Sequence, residues 1–289
     1  MINRVPLTVV IHTLNEECNL PQALRSVRAW ADDILVCDMH SDDETVAVAR
    51  RFGARVCLHE RLGFADPARA FAIAQARHEW ILVLDADELI PLPLARVLAQ
   101  VVADDATDIC WIPRLNYLLG EPINGLGWGA DEDAQMRLFR RDAVVVTADI
   151  HRFFHVASGA RERRLNCREH GAIIHFNYID IAQFIEKLNR YTTIEAVQAD
   201  RQGKAAWLPY AMAIACREAL RRYAFGGGYR FGWRGVYLTI LMVGYRLAVQ
   251  AKLRELRAGN TRASVSAHYR MEAETYLKAW DCDGRNQTF

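Results

Sequence analysis

The chain has 289 residues, 52% hydrophobic and 25% charged, with a formal net charge of +1. That composition excludes a disordered chain, and the balanced charge gives no sign of a nucleic-acid partner. The length suits one large α/β domain with a helical extension, or two modest domains.

Residues 7–11 are a short apolar run rich in β-branched side chains, as a buried parallel strand requires. No basic segment with a long apolar stretch precedes them, so no signal peptide is expected. After the polar turn Asn15-Glu16-Glu17, Pro21 opens a helix running to about Trp30. Residues 34–37 form a second strand ending at Asp38. Ser41 or Asp42 is expected to cap the next helix, with Glu44 and Thr45 in its first turn. A strand over 55–58, a helix over 67–77 and the most apolar strand, 80–84, follow. That strand runs into Asp85-Ala86-Asp87-Glu88, and residues 93–103 are helical. This alternation predicts a mostly parallel, doubly wound sheet.

From Ile109 the rhythm breaks. Residues 109–113, 135–140, 144–146 and 172–176 are strand-like, and a Gly-rich aromatic loop spans 120–130. From Ile181 the chain turns helical, over 181–199, 208–223 and 236–256, which sets a boundary near residue 178. Gly226-Gly-Gly228 follows no strand and is expected to break a helix. Seven cysteines, Cys18, Cys37, Cys57, Cys110, Cys167, Cys216 and Cys282, include no CxxC pair. Buried, reduced thiols of a cytosolic protein are expected.

Ligands of open parallel sheets bind beyond the carboxyl ends of the strands. Glu16, Asp38, Asp85 and Asp87 all fall there. Asp85-Ala86-Asp87 is the sharpest signal: two carboxylates at a strand end can share a site, one holding a divalent ion and the other a ribose hydroxyl. Solvation of the loop and capping of the helix after Pro91 is the plainer alternative.

In order along the chain stand Val9-Val-Ile-His-Thr-Leu-Asn-Glu-Glu17, Trp30-Ala-Asp-Asp-Ile-Leu-Val-Cys-Asp38 with Ser41-Asp-Asp-Glu-Thr45, and Leu84-Asp-Ala-Asp-Glu88. Pro113-Arg-Leu-Asn-Tyr117, Asp133-Ala-Gln-Met-Arg-Leu-Phe139 and Ile185-Glu-Lys-Leu-Asn-Arg-Tyr-Thr192 follow. Together these resemble an inverting family-2 glycosyltransferase with the GT-A fold, of the lipopolysaccharide-core β-glucosyltransferase type. The resemblance covers roughly residues 5–200.

The resemblance implies a GT-A-type Rossmann-like sheet with flanking helices over 1–178, and a helical extension over 179–289. It also implies transfer of a sugar, with inversion, from a nucleoside-diphosphate sugar, a UDP-sugar favoured. The acceptor would be a saccharide or lipid-linked glycan of the cell envelope. Thr13 and Glu16 would line the nucleotide pocket, Asp38 would meet the base, and Asp85 the ribose. Asp87 would ligate Mg²⁺ or Mn²⁺, with His175 approaching the metal or diphosphate; a structural role for His175 is the alternative. Gln135 and Arg137 match a Q-x-R facing the diphosphate and acceptor, where a guanidinium suits phosphate oxygens. Asp133 is the expected base for the acceptor hydroxyl, with Asp131 and Asp149 behind it, unless these acids only solvate their loop. Tyr117 and Trp128 could stack on a sugar or pack in the core.

Several positions depart from that type: His151-Arg152 stands in place of His-Glu, Arg69-Ala70 in place of Arg-Asn, and Leu14 in place of a frequent Lys. They leave donor and acceptor identity open. The tail pairs apolar faces with Arg217, Arg221, Arg222, Arg246 and Lys252, as helices at an anionic membrane surface do. Packing on the catalytic domain or in a homo-oligomer is the alternative. The expected location is therefore cytoplasmic, peripheral on the inner face of the membrane. A non-catalytic sugar-nucleotide-binding or assembly protein is a competing reading. A nucleotidyltransferase is disfavoured, because the turn after the first strand is acidic.

Overall fold

The computed structural model describes residues 2–61, 66–104, 106–146 and 154–284. The chain divides into two compact units, Met1–Asp180 and Ile181–Phe289.

The first unit opens with β1 (Val5–Thr13), α1 (Leu20–Val27), β2 (Ala31–Asp38), α2 (Thr45–Arg51), β3 (Arg55–Leu58), α3 (Asp66–Ala74) and β4 (Trp80–Asp85). β5 (Glu88–Leu89), α4 (Leu92–Asp104), β6 (Ile109–Ile112), β7 (Arg114–Leu118), β8 (Glu121–Pro122) and β9 (Gln135–Arg140) follow. β10 (Val144–Val146), β11 (Phe154–Val156), β12 (Glu162–Arg164), α5 (Cys167–His170) and β13 (Ile173–Tyr178) complete it. Among the described residues the main sheet has the order β12-β6-β9-β4-β1-β2-β3. Its pairings are parallel except where β9 lies antiparallel between β4 and β6. The expected mostly parallel α/β architecture is present.

Both faces of β1 and β4 are buried, because alternate side chains enter two different cores. Val9, Ile11, Leu82 and Leu84 pack with Leu24 of α1, Val48 of α2 and Leu98 of α4. Val10, Ile81 and Val83 pack with Ala72 and Ile73 of α3. Helices on both faces leave the carboxyl edge of the strands as the place where polar groups can gather.

A second sheet, β5-β13-β7-β8, builds on that edge. β7 was not expected, because its first two inward positions are Arg114 and Asn116 and only Leu118 continues that face with an apolar residue. The helix expected to be capped by Ser41 or Asp42 begins at Thr45, whose N–H donates to Asp43 at 3.0 Å. Ser41 is instead drawn to the carboxylate of Asp38, a stronger acceptor than a neutral group. The cysteines are less uniformly buried than expected: Cys37 and Cys110 are, but Cys18 and Cys216 are exposed. The side chain of Cys282 lies outside the described residues.

The second unit is helical: α6 (Ile181–Arg201), α7 (Leu208–Ala219), α8 (Gly232–Arg257) and α9 (Arg262–Gly284), the last unexpected. Between α7 and α8 the chain makes a π-helical turn over Leu220–Phe225 and a 3-10 turn over Gly228–Phe231. The glycines do break the helix, and Gly227 takes φ +68°. Gly235 is needed for contact: a Cβ there would lie 1.8 Å from the carbonyl oxygen of Gly228.

Candidate active site

β1, β2 and β4 end side by side, with Thr13 opposite Asp38 and His12 opposite Asp85. The carboxylate of Asp38 is fully buried. It accepts from the Thr13 hydroxyl at 2.9 Å and from the Ser41 hydroxyl and N–H at 2.6 and 2.8 Å. Glu16 follows on the same edge; its carboxylate accepts from Asn19 at 2.8 Å and its N–H donates to Thr45 at 2.8 Å.

Beside them lies a network of carboxylates and guanidiniums. Asp85 accepts from Arg69 at 3.1 Å and from Arg137. Glu88, also fully buried, accepts from Arg137 at 2.9 Å, Arg114 at 3.2 Å and the Asp85 N–H at 3.0 Å. Burial pushes the Asp85 pKa up, but the charges of Arg137 and Arg69 outweigh it and hold this carboxyl well below the usual range. Arg137, expected to face diphosphate and acceptor, is buried, with its Nη2 on Asp85 and Glu88 and its Nε without a partner. Buried charges are tolerated only when paired in this way.

Across the second sheet His175 lies between Glu88 of β5 and Asn116 of β7. A chain of hydrogen bonds runs through it. The loop 119–134 folds back on β7, with Arg114 N–H bonded to Ala130 O, and so delivers Asp133 to Arg114. Asp133 accepts from Arg114 Nε and Asn116 Nδ2 on one oxygen, both at 2.8 Å, and from Gln135 Nε2 at 2.9 Å on the other. Asn116 Oδ1 then faces His175 Nδ1 at 2.6 Å.

Polarity is dictated along this chain. A carboxylate only accepts, so Asn116 turns its NH₂ to Asp133 and its oxygen to His175. His175 must therefore carry its proton on Nδ1. In the neutral ring Nε2 is left with its lone pair, 3.5 Å from Asp87 Oδ2. Two electron-pair donors facing each other at that distance fit a shared cation. An outer hydrogen bond that sets the tautomer of a ligating histidine is the usual support of a metal site. Among the described residues no group of three or more His, Cys, Asp or Glu could hold an ion. Substrate phosphate oxygens and water would have to complete the shell, as is common for Mg²⁺ and its relatives.

Asn116→Leu, which keeps the approximate volume and removes both bonds, should weaken Mn²⁺ binding about 10–100-fold. Calorimetric titration with Mn²⁺ and a nucleoside diphosphate reads this. Nitrogen chemical shifts of His175 should show Nε2–H appearing in the variant.

Asp131, the reserve base, is exposed, with its carboxylate on the Cys167 N–H at 2.7 Å. Asp149 and the His151-Arg152 pair lie outside the described residues. Tyr117 packs against Phe176 at a tilt, with ring centres 5.3 Å apart, and Trp128 is half-buried in the returning loop. Glu88, Arg114 and Asn116 carried no expected role. Arg114 and Asn116 are spaced two apart, the period of a strand, which could have placed them on one face.

His12 was also missed. It is buried against Asp85 and Arg69, and neither ring nitrogen makes a well-formed hydrogen bond. Burial first, then the Arg69 charge, push its pKa down to about 3, against the pull of Asp85 and the Ala68 carbonyl. The unfolded chain therefore takes up this proton at a higher pH than the folded one. Stability should fall as pH drops through the interval from 6.5 to about 3, by up to about 1.4 kcal/mol per pH unit from this group. His12→Leu should flatten the decline between about pH 6 and pH 5, where shifted carboxylates such as Asp85 do not yet titrate. Urea melts of both proteins across that range check it.

The glycosyl transferase family 2 model matches residues 8–165. The lipopolysaccharide core biosynthesis glycosyltransferase LpsC of Rhizobium meliloti is 27% identical over 274 residues, 92% of this chain and 98% of LpsC. An uncharacterized glycosyltransferase, RT0209, of Rickettsia typhi is 25% identical over 296 residues, 91% of each chain. Among solved structures, the mannosyltransferase PcManGT from Pyrobaculum calidifontis, in complex with GDP-Man and Mn²⁺, aligns at a TM-score of 0.46 and 16% identity. That alignment covers 96% of this chain and 83% of PcManGT.

Proposed function

The chain belongs to glycosyl transferase family 2, and from that premise we propose that it moves a sugar from a nucleoside-diphosphate sugar, with inversion and with a divalent ion, onto a cell-envelope saccharide. The observation that carries the reading is the pair His175 Nε2 and Asp87 Oδ2, facing each other at 3.5 Å beside the strand ends. The relationship to LpsC supports a lipopolysaccharide-core or other lipid-linked acceptor, reached at the cytoplasmic face of the membrane.

In this reading residues 1–178 form the catalytic domain and 179–289 a helical extension at the membrane surface. Thr13, Glu16 and Asp38 line the nucleotide pocket, with Asp38 toward the base. Asp85, kept ionised by Arg69 and Arg137, meets the ribose. Asp87 and His175 hold the ion, and an imidazole nitrogen favours Mn²⁺ over Mg²⁺, whose preferred ligands are all oxygen. When bound, the ion supplies positive charge to the departing diphosphate. Asp133 takes the proton of the acceptor hydroxyl as that hydroxyl attacks the sugar carbon from the far side. Among the described residues Gln135 alone bonds its Oδ1, while Arg114 and Asn116 fix its other oxygen.

The test is thermal unfolding with UDP, GDP, ADP and dTDP, each with and without Mn²⁺. A ligand that binds only the folded state raises the melting temperature by mass action. A base-selective, Mn²⁺-dependent rise is expected, largest with UDP. No rise with any of them would overturn the sugar-nucleotide site. A rise without turnover of any sugar nucleotide would favour a binding or assembly protein instead.

A further inference from the structure

The second unit carries a surface that the transfer chemistry does not use. In the turn between α7 and α8, Phe225 is 85% exposed, and Tyr223, Tyr229 and Trp233 are 41%, 54% and 55% exposed. Tyr223 meets Tyr229 edge to face with ring centres 6.4 Å apart, and Trp233 meets Tyr237 at 6.2 Å. Along the chain the patch leads into the first turns of α8, where Trp233, Tyr237 and Ile240 recur at helical spacing on one exposed stripe. Soluble surfaces seldom leave so many large rings uncovered in one place.

Charge decides what covers it. Glu218 pairs Arg221, Arg222 and Arg246, but from Ala219 to Arg254 the chain has no acidic residue, and Arg230 and Arg234 lie there over the rings of Tyr229 and Trp233. Arg230 is exposed and lies over the Tyr229 ring at 5.5 Å. A second copy of the same face would bring guanidinium against guanidinium, which is repulsive. An anionic lipid surface complements both features: rings seat at head-group depth and arginines meet phosphate.

We propose that the α7–α8 turn, with the first turns of α8, docks on an anionic membrane and lies in its interface. For its purpose, though not for its physics, this rests on the reading of a lipid-linked acceptor. The helical stretch 228–257 holds an 18-residue window with a mean hydropathy of 1.2, long and apolar enough to cross a membrane. The later part of α8 is, however, tied to α6 by polar bonds. Tyr245 and Arg246 bond Glu195 at 2.8 and 3.3 Å, and Lys252 Nζ bonds Asn189 Oδ1 at 2.8 Å. Those groups would have to be stripped of partners or buried in lipid, so docking stops at the aromatic end.

The experiment is flotation of the full-length protein with vesicles of phosphatidylglycerol and phosphatidylethanolamine, against vesicles of phosphatidylcholine alone. Binding to the anionic vesicles should be at least about tenfold tighter and should weaken in high salt. Phe225→Ser with Tyr229→Ser should abolish it, and Arg230→Gln should weaken it about fivefold. All three positions are exposed, so circular dichroism and UDP/Mn²⁺ binding should be unchanged, which separates this result from failure of the catalytic reading. Equal binding by wild type and the double variant overturns the proposal, as does no preference for anionic lipid. Concentration-dependent dimers abolished by the double variant, without vesicle binding, would assign the face to a second copy and also overturn it.

Discussion

Asp87→Asn should lower sugar transfer by about a thousandfold or more and remove the Mn²⁺ dependence of nucleotide binding, with the fold left intact. A cation on the departing diphosphate is worth several kcal/mol, and about 4 kcal/mol corresponds to a thousandfold in rate. Asn keeps the shape but supplies a neutral oxygen in place of a carboxylate. The fold should tolerate it, because the Asp87 side chain is 19% exposed and its 3.5 Å approach to His175 Nε2 brings two lone-pair-bearing atoms together without a hydrogen bond to lose. Its structural contribution is made by the backbone, whose carbonyl accepts from Phe176 at 3.0 Å. Initial rates with the donor identified by thermal unfolding, with calorimetric titration of Mn²⁺, measure both effects. Unchanged turnover would sink the metal role.

Asp133→Asn should cost about 10²–10⁴-fold in kcat, the range for loss of a positioned base. Donor KM and Mn²⁺ affinity should hardly change. The reason lies in the hydrogen-bond chain: an Asn oxygen at this position can still accept from Arg114 and Asn116 at the places Oδ2 now occupies. The tautomer of His175 is then preserved. The new NH₂ would face Gln135, whose own amide can turn to accept. This pattern differs from that of Asp87→Asn, where metal binding and transfer fall together. If nucleotide and Mn²⁺ binding fell as far as kcat, Asp133 would be a clamp for Arg114 and Asn116 rather than the base.

Much of the first unit is legible in its sequence. Strands 55–58 and 135–140 appear with the bounds expected, because short runs of apolar residues bounded by breaks carry their own signal. Asp38 and Asp85 stand at strand ends because each directly follows an apolar run, and Asp87 falls in the turn two residues beyond. The second sheet is less legible. β5 and β8 are two residues each, too short for any period, and β7 places Arg114 and Asn116 inward against expectation. α9 has almost no apolar stripe to announce it, with Tyr269, Met271 and Tyr276 all exposed.

By itself, then, the sequence determined the alternation of strand and helix, the carboxyl edge that gathers acids, and the family. These depend on neighbours close along the chain. Tertiary structure alone decided the rest: Arg137 beneath Asp85 rather than open to solvent, His12 without a partner, and the line from Arg114 through Asp133 and Asn116 to His175. Those residues lie from 17 to 59 positions apart where they bond. Which atom donates to which depends on strand register and on the return of the loop 119–134, and local spacing encodes neither.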